Sequence, residues 1–101
     1  MMKFYLNDGS GDFAGEVTVT SADGIVMLGN FAPDPHFCSY EQLFTEFEQA
    51  ANNQLFVEID RLEREIAELG FYLVGPLPQE NRLEIDDLQI MGSDMSLRVR
   101  R

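Results

Sequence analysis

The chain has no tryptophan, one cysteine and one histidine. A lone Cys38 rules out an intrachain disulfide. With His36 as the single imidazole, it also leaves too few ligands for a structural zinc site. Long apolar runs are missing as well: nothing approaches the ~18 residues that a membrane span needs. The opening Met1-Met2-Lys3-Phe4-Tyr5-Leu6-Asn7-Asp8 meets polar residues too early for the core of a signal peptide. Together these lacks point to a reducing interior, most simply a cytoplasm. The chain also lacks a GxGxxG turn, a P-loop, a GxSxG elbow and an HExxH helix, so neither a cofactor nor a metal is expected.

Positive charge is the scarcest feature. Between Phe4 and Asp60 there is no lysine or arginine, whereas Asp8, Asp12, Glu16, Asp23, Asp34, Glu41, Glu46, Glu48, Glu58 and Asp60 are all carboxylates. Over the whole chain 18 acidic residues outnumber 7 basic ones, for a formal charge of −11, and the basic residues gather late, ending in Arg98, Arg100 and Arg101. Such a field repels nucleic acid and anionic membrane and draws basic partners inward. The aromatics are not interleaved with basic residues, so direct nucleic-acid binding has no support.

What is present suits one domain, residues 1–101, around one core: 45% of the chain is hydrophobic, an ordinary globular share. Lys3 to Asn7 reads as a strand and Asn7-Asp8-Gly9-Ser10-Gly11-Asp12 as a polar loop. Glu16 to Phe31 reads as a hairpin, with Val17 and Val19 alternating against Thr18 and Thr20. A turn at Asp23-Gly24 sets Val19 opposite Leu28 and Ser21 opposite Val26. Ser39 and Gln42 match a capping box. The helix they open carries Tyr40, Phe44, Phe47 and Ala51 on one stripe and Leu55, Ile59, Leu62, Ile66 and Leu69 on another.

The two stripes are offset by about 70° at 100° per residue. The shift falls at Asn52-Asn53, where helix propensity is poor, so a bend or break is expected there. Gly70 supplies the stop. Phe71 to Val74 reads as a strand. Leu83–Met91 and Met95–Arg100 form a second hairpin about Gly92-Ser93, with Ile90 opposite Met95, Leu88 opposite Leu97 and Asp87 opposite Arg98. The fold class is therefore α+β: an antiparallel sheet of two hairpins plus additional strands, with one long or bent helix packed on one face. The expected core is Phe4, Leu6, Val17, Val19, Leu28, Phe47, Leu55, Ile59, Leu62, Ile66, Val74, Leu88, Ile90, Leu97 and Val99.

Three constellations bear on chemistry. Asp8, Ser10 and Asp12 are spaced like the first ligands of a calcium loop, but Phe13 replaces the required glycine and Val19 the bidentate glutamate. A polar turn explains them. His36 and Cys38 lie two apart, so in an extended segment they would share a side, as a Cys–His nucleophilic pair requires. No third group is identifiable. On the second helical stripe Phe56 and Val57 fall outside the core face, about 100° and 200° from Leu55, beside the acidic run Glu58, Asp60, Glu63, Glu65 and Glu68. Apolar residues on a charged helix mark a contact surface, so these seven are the candidate partner-binding residues.

This profile of size, charge and missing catalytic motifs resembles that of small acidic bacterial or phage inhibitor proteins, such as toxin immunity, anti-restriction and anti-CRISPR proteins. The resemblance implies a non-enzymatic binding protein that neutralises a basic, nucleic-acid-acting partner, a toxin or nuclease-type effector, through a carboxylate-rich surface. The main alternative is a self-associating structural or adaptor domain, for instance a homodimer. A minor alternative is a small enzyme using the His36/Cys38 loop.

Overall fold

A computed structural model describes residues 2–100; Met1 and Arg101, read above in the N-terminal and basic C-terminal segments, lie outside them. Six strands and two helices follow in the order β1 (Met2–Asn7), β2 (Phe13–Asp23), β3 (Val26–Pro33), a 3-10 turn (Pro35–Phe37), α1 (Cys38–Asn52), α2 (Phe56–Glu68), β4 (Tyr72–Val74), β5 (Arg82–Met91) and β6 (Asp94–Val99). Every strand pairing is antiparallel. The α+β class stands, but the expected sheet of two hairpins plus additional strands is matched only in part: six strands close into a barrel of order β1-β2-β3-β6-β5-β4, with two helices in place of one. Closure depends on the short β4, which joins β1 through Tyr5↔Val74 to Asn7↔Tyr72 and β5 through Tyr72↔Glu84 to Val74↔Arg82. The strand itself is legible as Phe71 to Val74, but its closing role is not, because pairing with both β1 and β5 is non-local.

The helix divides where the stripe shift places the change. Asn53 caps α1, and Gln54 turns through φ +55° before α2 begins. An unbroken helix over both segments would be roughly 45 Å long, more than the 39 Å longest dimension of the molecule. Gly70, at φ +68°, lies just beyond the end of α2. The start of α1 differs from the capping-box expectation. Ser39 is inside the helix, its hydroxyl donating to the His36 carbonyl. α1 itself has no side-chain cap; it continues the 3-10 turn, which is capped by Asp34, whose carboxylate accepts from the His36 N–H. Pro35 at the first helical position fits this earlier start.

Two β-bulges correct the registers. The first turn is Gly24-Ile25, since Asp23 pairs with Val26, and the ladder shifts past Thr20 so that Val19 meets Gly29 and Ser21 meets Leu28. One extra residue reverses which side chains face inward. Leu28, expected in the core, is therefore 47% exposed, and Met27 packs against the core in its stead. Gly29 is required by a close approach: a Cβ there would run into the backbone of Thr18.

In the second hairpin Ile90↔Met95 and the two-residue turn at Gly92-Ser93 are as expected. The ladder then shifts between Asp86 and Gln89, pairing Asp86 rather than Asp87 with Arg98. Asp87 takes the left-handed conformation at φ +54°. Its carboxylate still lies 3.5 Å from the Arg98 guanidinium. Leu88 and Leu97 are both buried.

The barrel interior and the helices share one core, in which Phe4, Leu6, Val17 and Leu97 from the strands join Phe44, Phe47, Leu62 and Ile66 from the helices. Leu55 is the second correction to the expected core: it lies in the break between helices and is 49% exposed. Ile59, Val74 and Val99 are half-buried. Phe31, Phe37, Phe44 and Phe71, absent from the expected core, are buried. They form a chain of rings, Phe31–Phe37 edge-on at 4.8 Å, then Phe37–Phe44 and Phe44–Phe71 tilted at 5.4 Å and 5.9 Å. Both helices pack against β5, which sets up the surface described next.

Candidate functional site

α2 is anchored by Leu62 and Ile66. With 100° per residue, Val57 points roughly opposite to that buried pair and Phe56 about 100° from it. The geometry agrees: Phe56 is 71% and Val57 81% exposed. With the exposed Leu55 they make an apolar tip where α1 gives way to α2. The carboxylates of Glu58, Asp60, Glu63, Glu65 and Glu68 are all exposed on the same helix. They are not equivalent. Arg61 lies 2.7 Å from Glu58 and 3.0 Å from Glu65, pairs at i,i+3 and i,i+4, so those two are partly neutralised within the helix. Asp60, Glu63 and Glu68 have no ion-pair partner among the described residues and carry the outward charge of α2. Because Phe56 and Val57 bury little, changing both to serine should alter the unfolding free energy by no more than about 0.5 kcal/mol, checked by urea denaturation.

On the Phe56 flank, a groove of about 660 Å³ separates α2 from β5. Glu63, Ile66 and Ala67 form one wall, and the six consecutive residues Glu84 to Gln89 form the other. Arg100 holds Asp86 in a two-pronged pair, with Nη2 at 2.6 Å and Nε at 3.1 Å, which keeps the Asp86 carboxyl below the usual range. Arg82 lies 2.6 Å from Glu84 and stacks over the Tyr72 ring at 3.8 Å.

A second constellation was missed at the level of sequence because its members lie far apart in the chain. Asp8 is 3% exposed. Its Oδ1 accepts from the N–H groups of Ser10 and Asp12, and its Oδ2 from His36 Nε2 at 3.0 Å and the Tyr40 hydroxyl at 2.7 Å. Burial raises the carboxyl, but the hydrogen bonds from His36, Tyr40, Asp12 and Ser10 together overcome it and hold Asp8 at about 2. An ionised carboxylate only accepts, so Nε2 carries the proton. The bond to Asp8 raises the His36 pKa, with Asp12 and Asp34 adding to it. The same carboxylate raises Tyr40. One aspartate thus ties the β1–β2 loop to the start of α1.

Ligand atoms of Asp8, Asp12 and His36 lie within 4.8 Å of one another, and the Asp8 oxygens accept from the Ser10 and Asp12 N–H groups, His36 and Tyr40. His36 and Cys38 are both exposed, but they sit at the junction of the 3-10 turn and α1. Residues two apart in a helix point roughly 200° from each other. No hydrogen bond joins the His36 ring to the Cys38 thiol among the described residues, and the Nε2 of His36 is engaged by Asp8 instead.

Comparison with protein-family models, with curated proteins and with solved structures gave no match. No helix is long and apolar enough to cross a membrane among the described residues.

Proposed function

We propose that this chain is a non-enzymatic, cytoplasmic acidic binding protein of the inhibitor or immunity type, which covers the nucleic-acid-binding surface of a basic toxin or nuclease-type effector. The observation that carries this reading is the solvent face of α2: an apolar tip, Phe56 and Val57, stands free beside the unpaired carboxylates of Asp60, Glu63 and Glu68 on a chain of net charge −11. Carboxylates steer a basic partner into contact, and desolvated apolar groups hold it there.

The division of labour is testable on the basic protein that the wild-type chain retains from its host. Association should slow steeply as salt rises, because screening shortens the field to ~8 Å near physiological ionic strength. Asp60→Lys with Glu68→Lys should mainly lower the association rate, and Phe56→Ser with Val57→Ser should mainly raise the dissociation rate. Stopped-flow kinetics separate the two. Salt-independent association, or unchanged rates in both variants, would leave the acidity as a solubility device.

A self-associating domain is the second reading. It is favoured by a further exposed apolar pair on the barrel, Tyr5 and Phe13, whose rings meet edge-on at 5.3 Å. A concentration-dependent two-fold increase in mass in sedimentation, lost in Phe56→Ser with Val57→Ser or in Tyr5→Ser with Phe13→Ser, would select it.

A further inference from the structure

β5 is paired unequally on its two sides. β6 follows it from Ile85 to Met91, but β4 reaches only Arg82 to Glu84. Past Glu84 no strand lies on the other side of β5 among the described residues. An uncovered strand edge offers a row of N–H and C=O groups, and natural proteins pair such edges, bulge them or cover them. Here β5 bulges at Asp87 and α2 runs alongside, yet α2 does not seat on the edge: the 660 Å³ groove lies between them. Successive residues of a strand face opposite sides. A groove that touches all of Glu84 to Gln89 therefore reaches the edge of the strand as well as one face; there the Ile85 carbonyl accepts from Arg100 Nη2 at 3.4 Å, a bond that an added strand would replace.

We propose that this groove takes an extended, basic segment of a partner protein, which adds a strand to β5. The charge decides its sign: the lining carboxylates Glu84, Asp86 and Asp87 are held by Arg82, Arg100 and Arg98, and Glu63 is left over, on a chain of net charge −11. Glu63 has no ion-pair partner among the described residues. The charge also decides between occupants. A second copy would set its own acidic β5 and α2 against these, like charge facing like at −11 per chain. The floor is apolar, with Ile66, Ile85 and Leu88. Main-chain hydrogen bonds would supply affinity, and alternate side chains would reach floor and rim, as in other strand-addition complexes. The inference deepens the reading above by naming the element of the basic partner that is held.

The test uses a blocked seven-residue peptide of alternating valine and lysine, titrated into the full chain and followed by amide chemical shifts. Saturable shifts at Glu84–Gln89 and at Glu63–Ala67 are expected. Replacing the lysines with glutamates, or methylating alternate peptide nitrogens along one edge, should weaken binding at least tenfold. Ala67→Arg, an exposed position on the helix wall, should fill the groove and do the same while leaving the remaining spectrum in place. Unshifted β5 amides at millimolar peptide, or equal binding by the N-methylated peptide or by Ala67→Arg, would overturn the inference. If Ala67→Arg still binds the host partner with wild-type kinetics, the groove fails and the α2 reading stands. If the peptide binds but no basic partner exists, the reverse holds.

Discussion

Replacing Asp8 with alanine should lower the free energy of unfolding by about 2–4 kcal/mol, measured by urea denaturation at neutral pH. The change removes the acceptor for four donors at once: two backbone N–H groups, the His36 ring and the Tyr40 hydroxyl. Leaving several polar groups without partners is among the few ways a single substitution costs this much. Asparagine keeps the shape and one carbonyl oxygen, so Asp8→Asn should cost less, about 1–3 kcal/mol. A loss near zero for alanine would mean that water replaces the carboxylate and that the network does not hold the loop.

The same network predicts how stability depends on pH, with a definite sign on each limb. Asp8 ionises at about 2 in the folded chain against 3.8 as a free side chain. Its folded pKa is depressed, so its stabilisation is complete above about pH 4 and is lost as pH falls towards 2. Roughly two units correspond to about 2.5 kcal/mol. His36 is shifted the other way, above its ordinary 6.5, chiefly by the bond to Asp8. Its stabilisation is present below 6.5 and is lost as pH rises through the raised value. With 18 acidic residues in the chain, the absolute pH curve mixes many groups; the difference between wild type and Asp8→Asn isolates this one. That difference should shrink at both ends. A pH-independent difference would show that Asp8 acts through packing and not through charge.

Much of the fold was legible because local signals agreed with one another. Gly92-Ser93 and the alternation around it place the second hairpin, and the stripe shift at Asn52-Asn53 places the helix break. The misreadings share a cause: each depended on something non-local or on a single inserted residue. Leu28 was assigned inward because nothing in Thr18-Val19-Thr20-Ser21 announces that Thr20 will be bulged out, and one such residue reverses the side of everything beyond it. Ser39 and Gln42 match the capping box, but Asp34 caps the 3-10 turn that starts earlier, with Pro35 at its first position, and the Asp8 network fixes His36 there. Barrel closure rests on Tyr72–Val74, legible as a strand but not as a closing one, because its pairing with both β1 and β5 is non-local. On α2 the wheel located Phe56, Val57 and the acidic run, while the partition of those acids by Arg61 became visible only in side-chain geometry. The Asp8–His36–Tyr40 cluster joins residues 28 and 32 positions apart. The one local signal for it was an aspartate opening a glycine-rich loop.

The other large effect concerns how α2 is held, since both the outward carboxylates and the groove depend on its position. α2 is cut off from α1 by the Gln54 turn and from β4 by Gly70, so its attachment rests on its side chains. Leu62, 1% exposed, is the most deeply buried of them. Leu62→Ala should therefore cost about 2–5 kcal/mol, the transfer term plus the cavity left behind. The loss should not be uniform. If α2 opens as a unit about its two turns, native-state hydrogen exchange should show its amides opening at far lower free energy than those of β2, β3 and β6, which pair on both sides along the barrel. Val57→Ala on the opposite face of the same helix should leave both measurements within about 0.5 kcal/mol of wild type. Equal loss of protection in α2 and the barrel would mean that helix and barrel unfold only together. The groove would then be a rigid slot, and a bound strand would have to thread into it without any movement of the helix.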